Sequence, residues 1–104
     1  MIPRETIEML EATVTMTVDP TTAAVDWAFP LTGSRPTVWH VGAWDGAASA
    51  VQSNYQAVTV SPQVGATGSG ADVELAPGVR HDMFVRVTDL SEQAVRSVGV
   101  LVLT

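Results

Sequence analysis

A chain of 104 residues is one domain's worth of polypeptide, and with 46% hydrophobic residues it can bury a core unaided; the absence of cysteine excludes disulfides and thiolate metal sites. The formal net charge is −6, lysine is absent, and the five arginines (Arg4, Arg35, Arg80, Arg86, Arg96) are dispersed, which argues against a grip on a nucleic-acid backbone. Charged residues make up only 15% of the chain, against about a quarter in ordinary soluble domains, so either a partner covers part of the surface or the core is rich in valine.

No apolar run approaches the roughly 20 residues of a membrane-spanning helix, and the opening MIPRETIEML has carboxylates where an export signal needs an apolar stretch. Residues 1–11 read as an N-terminal arm or a backward extension of the first strand, and residues 12–104 as the folded domain. One or two helical turns over Thr6–Glu11 are the alternative, marginal without packing. On the strand reading, Leu10, Ala12, Val14, Met16 and Val18 form an apolar face, with Thr13, Thr15 and Thr17 opposite.

Asp19-Pro20-Thr21-Thr22 is a turn by composition. The next strand sends Val25, Trp27 and Phe29 inward and Asp26 outward, and Pro30 ends it. Thr37 to Ala43 reads as a strand on which Trp39 and Val41 share a face, and Trp39 is assigned to the core. Asp45-Gly46 is a tight-turn dipeptide. Ala47 to Ser53 reads as a short helical turn or an edge segment, Tyr55 to Val60 as a strand, and PQVGATGSGA as a flexible loop.

Val73 to Thr88, VELAPGVRHDMFVRVT, gives a short strand ending at Leu75, a corner at Pro77-Gly78, and a longer strand from about Asp82. Met83, Val85 and Val87 fall on its inner face, with Phe84, Arg86 and Thr88 on the outer one. Asp89 to Glu92 is a turn. The last strand, Val95 to Leu103, places Val98, Val100 and Val102 on one face, with Val98 and Val100 inward. About seven strands, with turn signals every eight to twelve residues, predict an all-β chain, an immunoglobulin-like β-sandwich with a short N-terminal arm. A small closed β-barrel is the rival.

Chemistry is sparse. His40 and His81 have no metal-ligand spacing, the aspartates lie on separate loops, and no D-x-D-x-D-G calcium loop occurs. His40 reads as a surface residue. His81, just after the corner, is expected to hydrogen-bond back to the turn, as the corner tyrosine does in immunoglobulin-like folds. Gly65, Gly68 and Gly70 precede a strand rather than a helix, which leaves an anion nothing to bind. No G-x-S-x-G occurs. No catalytic, metal or cofactor residue is therefore assigned. Trp44, at a strand end, is either a core residue or an exposed contact anchor.

From the corner onward, LAPGVRHDMFVRVTDLSEQAVRSVGVLVLT resembles the C-terminal half of small virion proteins of tailed bacteriophages. There an L-x-P-G corner leads to a strand ending V-R-V/I-T-D, a turn with Glu, and a last strand opening V-R-x-x-G. The matching positions are Leu75, Pro77, Gly78, Val85, Arg86, Val87, Thr88, Asp89, Glu92, Val95, Arg96 and Gly99. VDPTTAAVDWAF and the pair Trp39 and Trp44 extend the likeness more loosely, and His81 stands where the family has a tyrosine, displaced by one extra residue. The resemblance implies a non-enzymatic virion structural protein without cofactor, made in the host cytoplasm: a capsid-decorating or minor capsid protein. Its partners would be the major capsid protein or neighbouring virion subunits, without nucleic acid or membrane. Docking is expected through the arm, Ile2, Pro3, Arg4, Glu5 and Thr6, with one sheet edge and Trp44. A head–tail connector or tail subunit of the same fold is one alternative. A free carbohydrate- or protein-binding module, using Trp44 and the glycine loop, is another.

Overall fold

Two strands with matching alternation meet at the centre of the molecule, Val25 opposite Val87 and Trp27 opposite Val85. All four side chains are buried, each contributing about 1.5–3 kcal/mol or more from water exclusion. The structure, a computed structural model, describes residues 6–88 and 93–103. Its eight strands in chain order are β1 (Glu8–Met16), β2 (Ala24–Ala28), β3 (His40–Val41), β4 (Ala43–Val51), β5 (Asn54–Ala66), β6 (Val73–Leu75), β7 (Arg80–Thr88) and β8 (Gln93–Val102). One sheet runs β1-β5-β4 with β6 added alongside β5; the other runs β3-β2-β7-β8. Pairing is antiparallel throughout except between β5 and β6. The chain is an all-β, two-sheet sandwich.

Val14, Val64, Val73 and Leu75 of the first sheet face Trp27, Phe29, Val85, Val87 and Leu101 of the second. Leu10, Ala12 and Met16 pack on this core as their alternation requires, but Val18 lies beyond the end of β1 and is exposed. A 3-10 turn, Pro20–Thr22, follows, capped by Asp19. One oxygen of Asp19 accepts both the Thr21 hydroxyl (2.7 Å) and the Thr21 N–H (2.9 Å). These bonds, the hydroxyl first, hold the Asp19 carboxyl below its ordinary value of 3.8.

The chain crosses between sheets at Gly42, which separates β3 from β4. A methyl group there would lie 2.6 Å from Trp27 Cδ1 and 3.0 Å from the Val60 carbonyl oxygen, so only glycine fits against the indole edge. Trp27 is fully buried, and its N–H reaches the Thr59 hydroxyl (3.3 Å), which in turn donates to the Ala43 carbonyl (2.8 Å). This relay ties the middle of one sheet to the other, as a buried indole N–H requires.

Several expected boundaries are displaced, and β-bulges account for most of them. Asp45-Gly46 is not a hairpin turn. Asp45 faces Val58 and Ser49 faces Gln56, so three residues of β4 bulge opposite Ala57, with Gly46 at φ 81°. The segment after it is an edge strand, and the reversal falls at Gln52-Ser53, with Gln52 at φ 56°. Half of the expected glycine-rich loop belongs to β5, which continues through Pro62 to Ala66. Pro62 is accommodated because Ser61 and Pro62 together face Leu10, whose N–H is accepted by the Ser61 hydroxyl (2.9 Å).

In β8, Met83 faces Gly99 but Phe84 faces Ser97, which leaves Val98 as an extra residue. The inward phase flips there: Val98 packs on the core, Leu101 and Leu103 are buried, and Val100 turns outward, 44% exposed, against expectation. The strand expected over Thr37 to Ala43 reduces to His40–Val41 on the first side of Gly42, and its phase is opposite to that expected. Val41 is exposed, Trp39 is only half-buried, and it is His40 that approaches Phe29.

Candidate interaction surface

The outward face of the second sheet is built by the residues that alternate with the core. Val41, Asp26, Arg86 and Val95 form one row across its four strands, and Phe84 lies opposite Ala28 in the next. Arg86 Nη2 donates to Asp26 Oδ2 at 3.0 Å and Nε to the same oxygen at 3.3 Å. Its guanidinium also lies 4.2 Å from the centroid of the Trp39 ring. The pair is partly buried, with side-chain exposures of 24% and 17%, and a cation–π contact of this kind adds about 0.5–1 kcal/mol.

The result is a charge-compensated row. The Arg86 guanidinium lies over an indole, with Val41 (80% exposed) and Val95 in the same row. Tryptophan and arginine dominate protein-binding hot spots because both present large, rigid contact area.

The other residues singled out in the sequence are placed as follows. Ile2, Pro3, Arg4 and Glu5 lie outside the described residues, as does the expected turn Asp89–Glu92; Thr6 is half-buried just before β1. Trp44 takes the core alternative: it packs against the core, and its N–H donates to the Ala23 carbonyl (2.9 Å). His81 is buried, with Nδ1 donating to the Phe29 carbonyl (2.9 Å) at the end of β2, so it braces the neighbouring strand rather than its own turn. That carbonyl can only accept, which puts the proton on Nδ1. The corner glycine, Gly78, instead donates to the Leu103 carbonyl. Among the described residues no group of three or more histidine, aspartate or glutamate side chains is placed to hold a metal ion.

Sequence reasoning placed Phe84 and Arg86 on the outer face but did not join them to Asp26 and Trp39. The available signal was an aromatic and a cation on the outward phase of a strand whose inward phase is valine. No family model matches the chain, and no curated protein or solved structure matches it.

Proposed function

We propose that this chain is a non-enzymatic structural subunit of a tailed-bacteriophage virion, a capsid-decorating or minor capsid protein that docks on the assembled head. The observation that carries the binding role is the outer face of the second sheet, where Arg86, neutralised by Asp26, lies on Trp39 amid exposed valines. The virion setting rests on the resemblance of residues 75–104.

The strand order supports an immunoglobulin-like reading of the sandwich. If β1, β5 and β4 are taken as strands B, E and D, then β3, β2, β7 and β8 fall in the order C′, C, F and G. The fully buried Trp27 then occupies strand C, where immunoglobulin domains keep their core tryptophan.

Two measurements test the proposal. A decorating subunit recognises a site repeated over the whole shell, so its copy number in purified particles is expected to be comparable with that of the major capsid protein. Roughly a dozen copies or fewer, as a ring at one vertex implies, would promote the connector or tail reading. Trp39→Ala is expected to weaken binding to undecorated heads by about 30-fold, the scale of a hot-spot loss of about 2 kcal/mol. Full binding by this variant would remove the outer face from the interface.

A further inference from the structure

The first sheet ends at β1, and no strand among the described residues pairs with the other side of it. On the lettering above β1 is strand B, and in immunoglobulin domains the place beside it belongs to strand A. We propose that an extended segment of a different protein adds to this edge, antiparallel to β1, in the position of strand A. Its inward side chains are apolar apart from one aspartate or glutamate, which meets Arg96. The inference rests on the protein-binding reading, names the partner's chemistry, and uses a surface other than the Trp39 face.

Among the described strands at the sheet borders, β1 alone offers a long regular edge. Its residues 11–16 pair one by one with residues 60–55 of β5. By contrast β3 and β6 have only two and three residues, and β4 is broken by the bulge between Asp45 and Ser49. β8 carries the extra residue Val98 and an inward-pointing charge, since Arg96 lies opposite the buried Val85. Bulges and inward charges are devices that keep a border strand from pairing further. β1 has neither over residues 11–16. Ala12, Val14 and Met16 point inward there, with Glu11, Thr13 and Thr15 outward and exposed, an alternation that one more strand can continue.

The borders of β1 and β8 do not close over each other. Between them opens a slot of about 20 Å³, walled by Val14, Met16, Val87, Ala94 and Val98, with Arg96 beside it. That is room for about one water, far below the roughly 300–1,000 Å³ of a small-molecule site, so what covers it is a row of side chains. Valine or leucine at alternate positions of the added strand extends the core over the slot. Arg96 is exposed and has no ion pair among the described residues, so a carboxylate on the same inward row gives it a partner. Residues 1–5 are too few to be that strand: a two-residue turn at Thr6-Ile7 brings Met1 no further than Ala12. A second copy fits poorly as well. Each copy has a net charge of −6, and a whole sandwich joined at β1 must also pass the blunted border of β8.

The test is a titration of the full ¹⁵N-labelled chain with capped heptapeptides of sequence Thr-Val-Thr-X-Thr-Val-Thr, where X is glutamate, glutamine or lysine. The glutamate peptide is expected to shift the amides of residues 11–16 and of Arg96 saturably. Glutamine at X is expected to bind about fivefold more weakly, and lysine more weakly still. N-methylation of odd or of even residues gives two further peptides. One is expected to bind and the other not, because an added strand is bonded along one side only. Arg96→Gln, at an exposed position, is expected to erase the preference for glutamate over glutamine, and Trp39→Ala to leave the titration unchanged. Shifts centred elsewhere, equal binding of the glutamate and lysine peptides, equal binding of the two methylated peptides, or no shift at millimolar peptide would overturn the proposal. So would β1 shifts that grow with protein concentration alone, which would give the edge to a second copy. Loss of head binding by Trp39→Ala alongside a silent β1 edge would sink this inference and leave the outer-face reading standing.

Discussion

Replacing Thr59 by valine keeps the shape of the side chain and deletes the hydroxyl at the centre of the Trp27–Thr59–Ala43 relay. Both Thr59 and Trp27 are fully buried, so the orphaned indole N–H cannot turn to water, whereas the carbonyl belongs to Ala43, an exposed residue. A stranded buried group costs about 1–3 kcal/mol and a net hydrogen bond about 0.5–1.5 kcal/mol. The indole bond is long, 3.3 Å, and its loss belongs at the low end of the first range, near 1 kcal/mol; loss of the 2.8 Å bond to the carbonyl adds about 0.5–1 kcal/mol. Thr59→Val is therefore expected to cost about 1.5–2 kcal/mol, a sizeable share of the roughly 5–15 kcal/mol that holds a domain together. Thr59→Ser keeps the hydroxyl, loses one methyl, and is expected to cost about 1 kcal/mol. Urea unfolding followed by circular dichroism reads both as shifts in midpoint at unchanged slope. In a Trp27→Phe background, which has no N–H to strand, the cost of Thr59→Val is expected to fall by about 1 kcal/mol. If valine costs no more than serine, or costs the same with and without the indole N–H, the relay does not hold the sheets together and the reasoning fails.

Gly42→Ala is expected to destabilise by about 1–3 kcal/mol, because its methyl must displace the Trp27 ring or the Val60 carbonyl; a midpoint within error of wild type would show that the crossing is loosely packed. Gln52→Gly is expected to stabilise by about 0.5 kcal/mol, since relief of the positive φ slightly outweighs the added freedom of the unfolded chain. A lower melting temperature for this variant would contradict that balance. Asp19 has a carboxyl lowered by folding, so the stability it provides is complete above its ordinary value of 3.8 and disappears as pH falls through the lower folded value. Asp19→Asn is accordingly expected to flatten the acid limb of a stability–pH curve, and two parallel curves below about pH 4 would rule this out.

The sandwich was legible because its central strands obey a strict period of two: Val25, Trp27 and Phe29 on one, Val85 and Val87 on the other, are buried as the pattern demands. Legibility failed where a bulge adds a residue without changing local composition. Val98 to Val102 alternate smoothly in the sequence, yet the extra residue at Val98 exchanges the roles of Val100 and Leu101. Asp45-Gly46 has the chemistry of a turn because a bulge glycine and a turn glycine answer the same need for positive φ. The candidate surface was harder still. Trp39 reads as core because aromatics on sandwich strands usually are, and Trp39 and Val41 alone do not fix the strand's phase. Its partner Arg86 lies two strands away across Asp26, a neighbourhood created only when β2 comes between β3 and β7.

The three-sided pairing of β5 bears on how the chain reaches its fold. β4 and β5 are joined by Gln52-Ser53 and can zip as a local hairpin in about 1–10 μs. The pairing of Met16 with Tyr55 must close a loop containing β2, β3 and β4, whereas β6 returns to β5 across a single short loop. Closures like that of β1 are slow. The hairpin is therefore expected to form first, and β1 to add to its open side afterwards. Until it arrives, the Ser61-Pro62 bulge has no Leu10 N–H to receive, and that side of β5 is left as an unprotected edge.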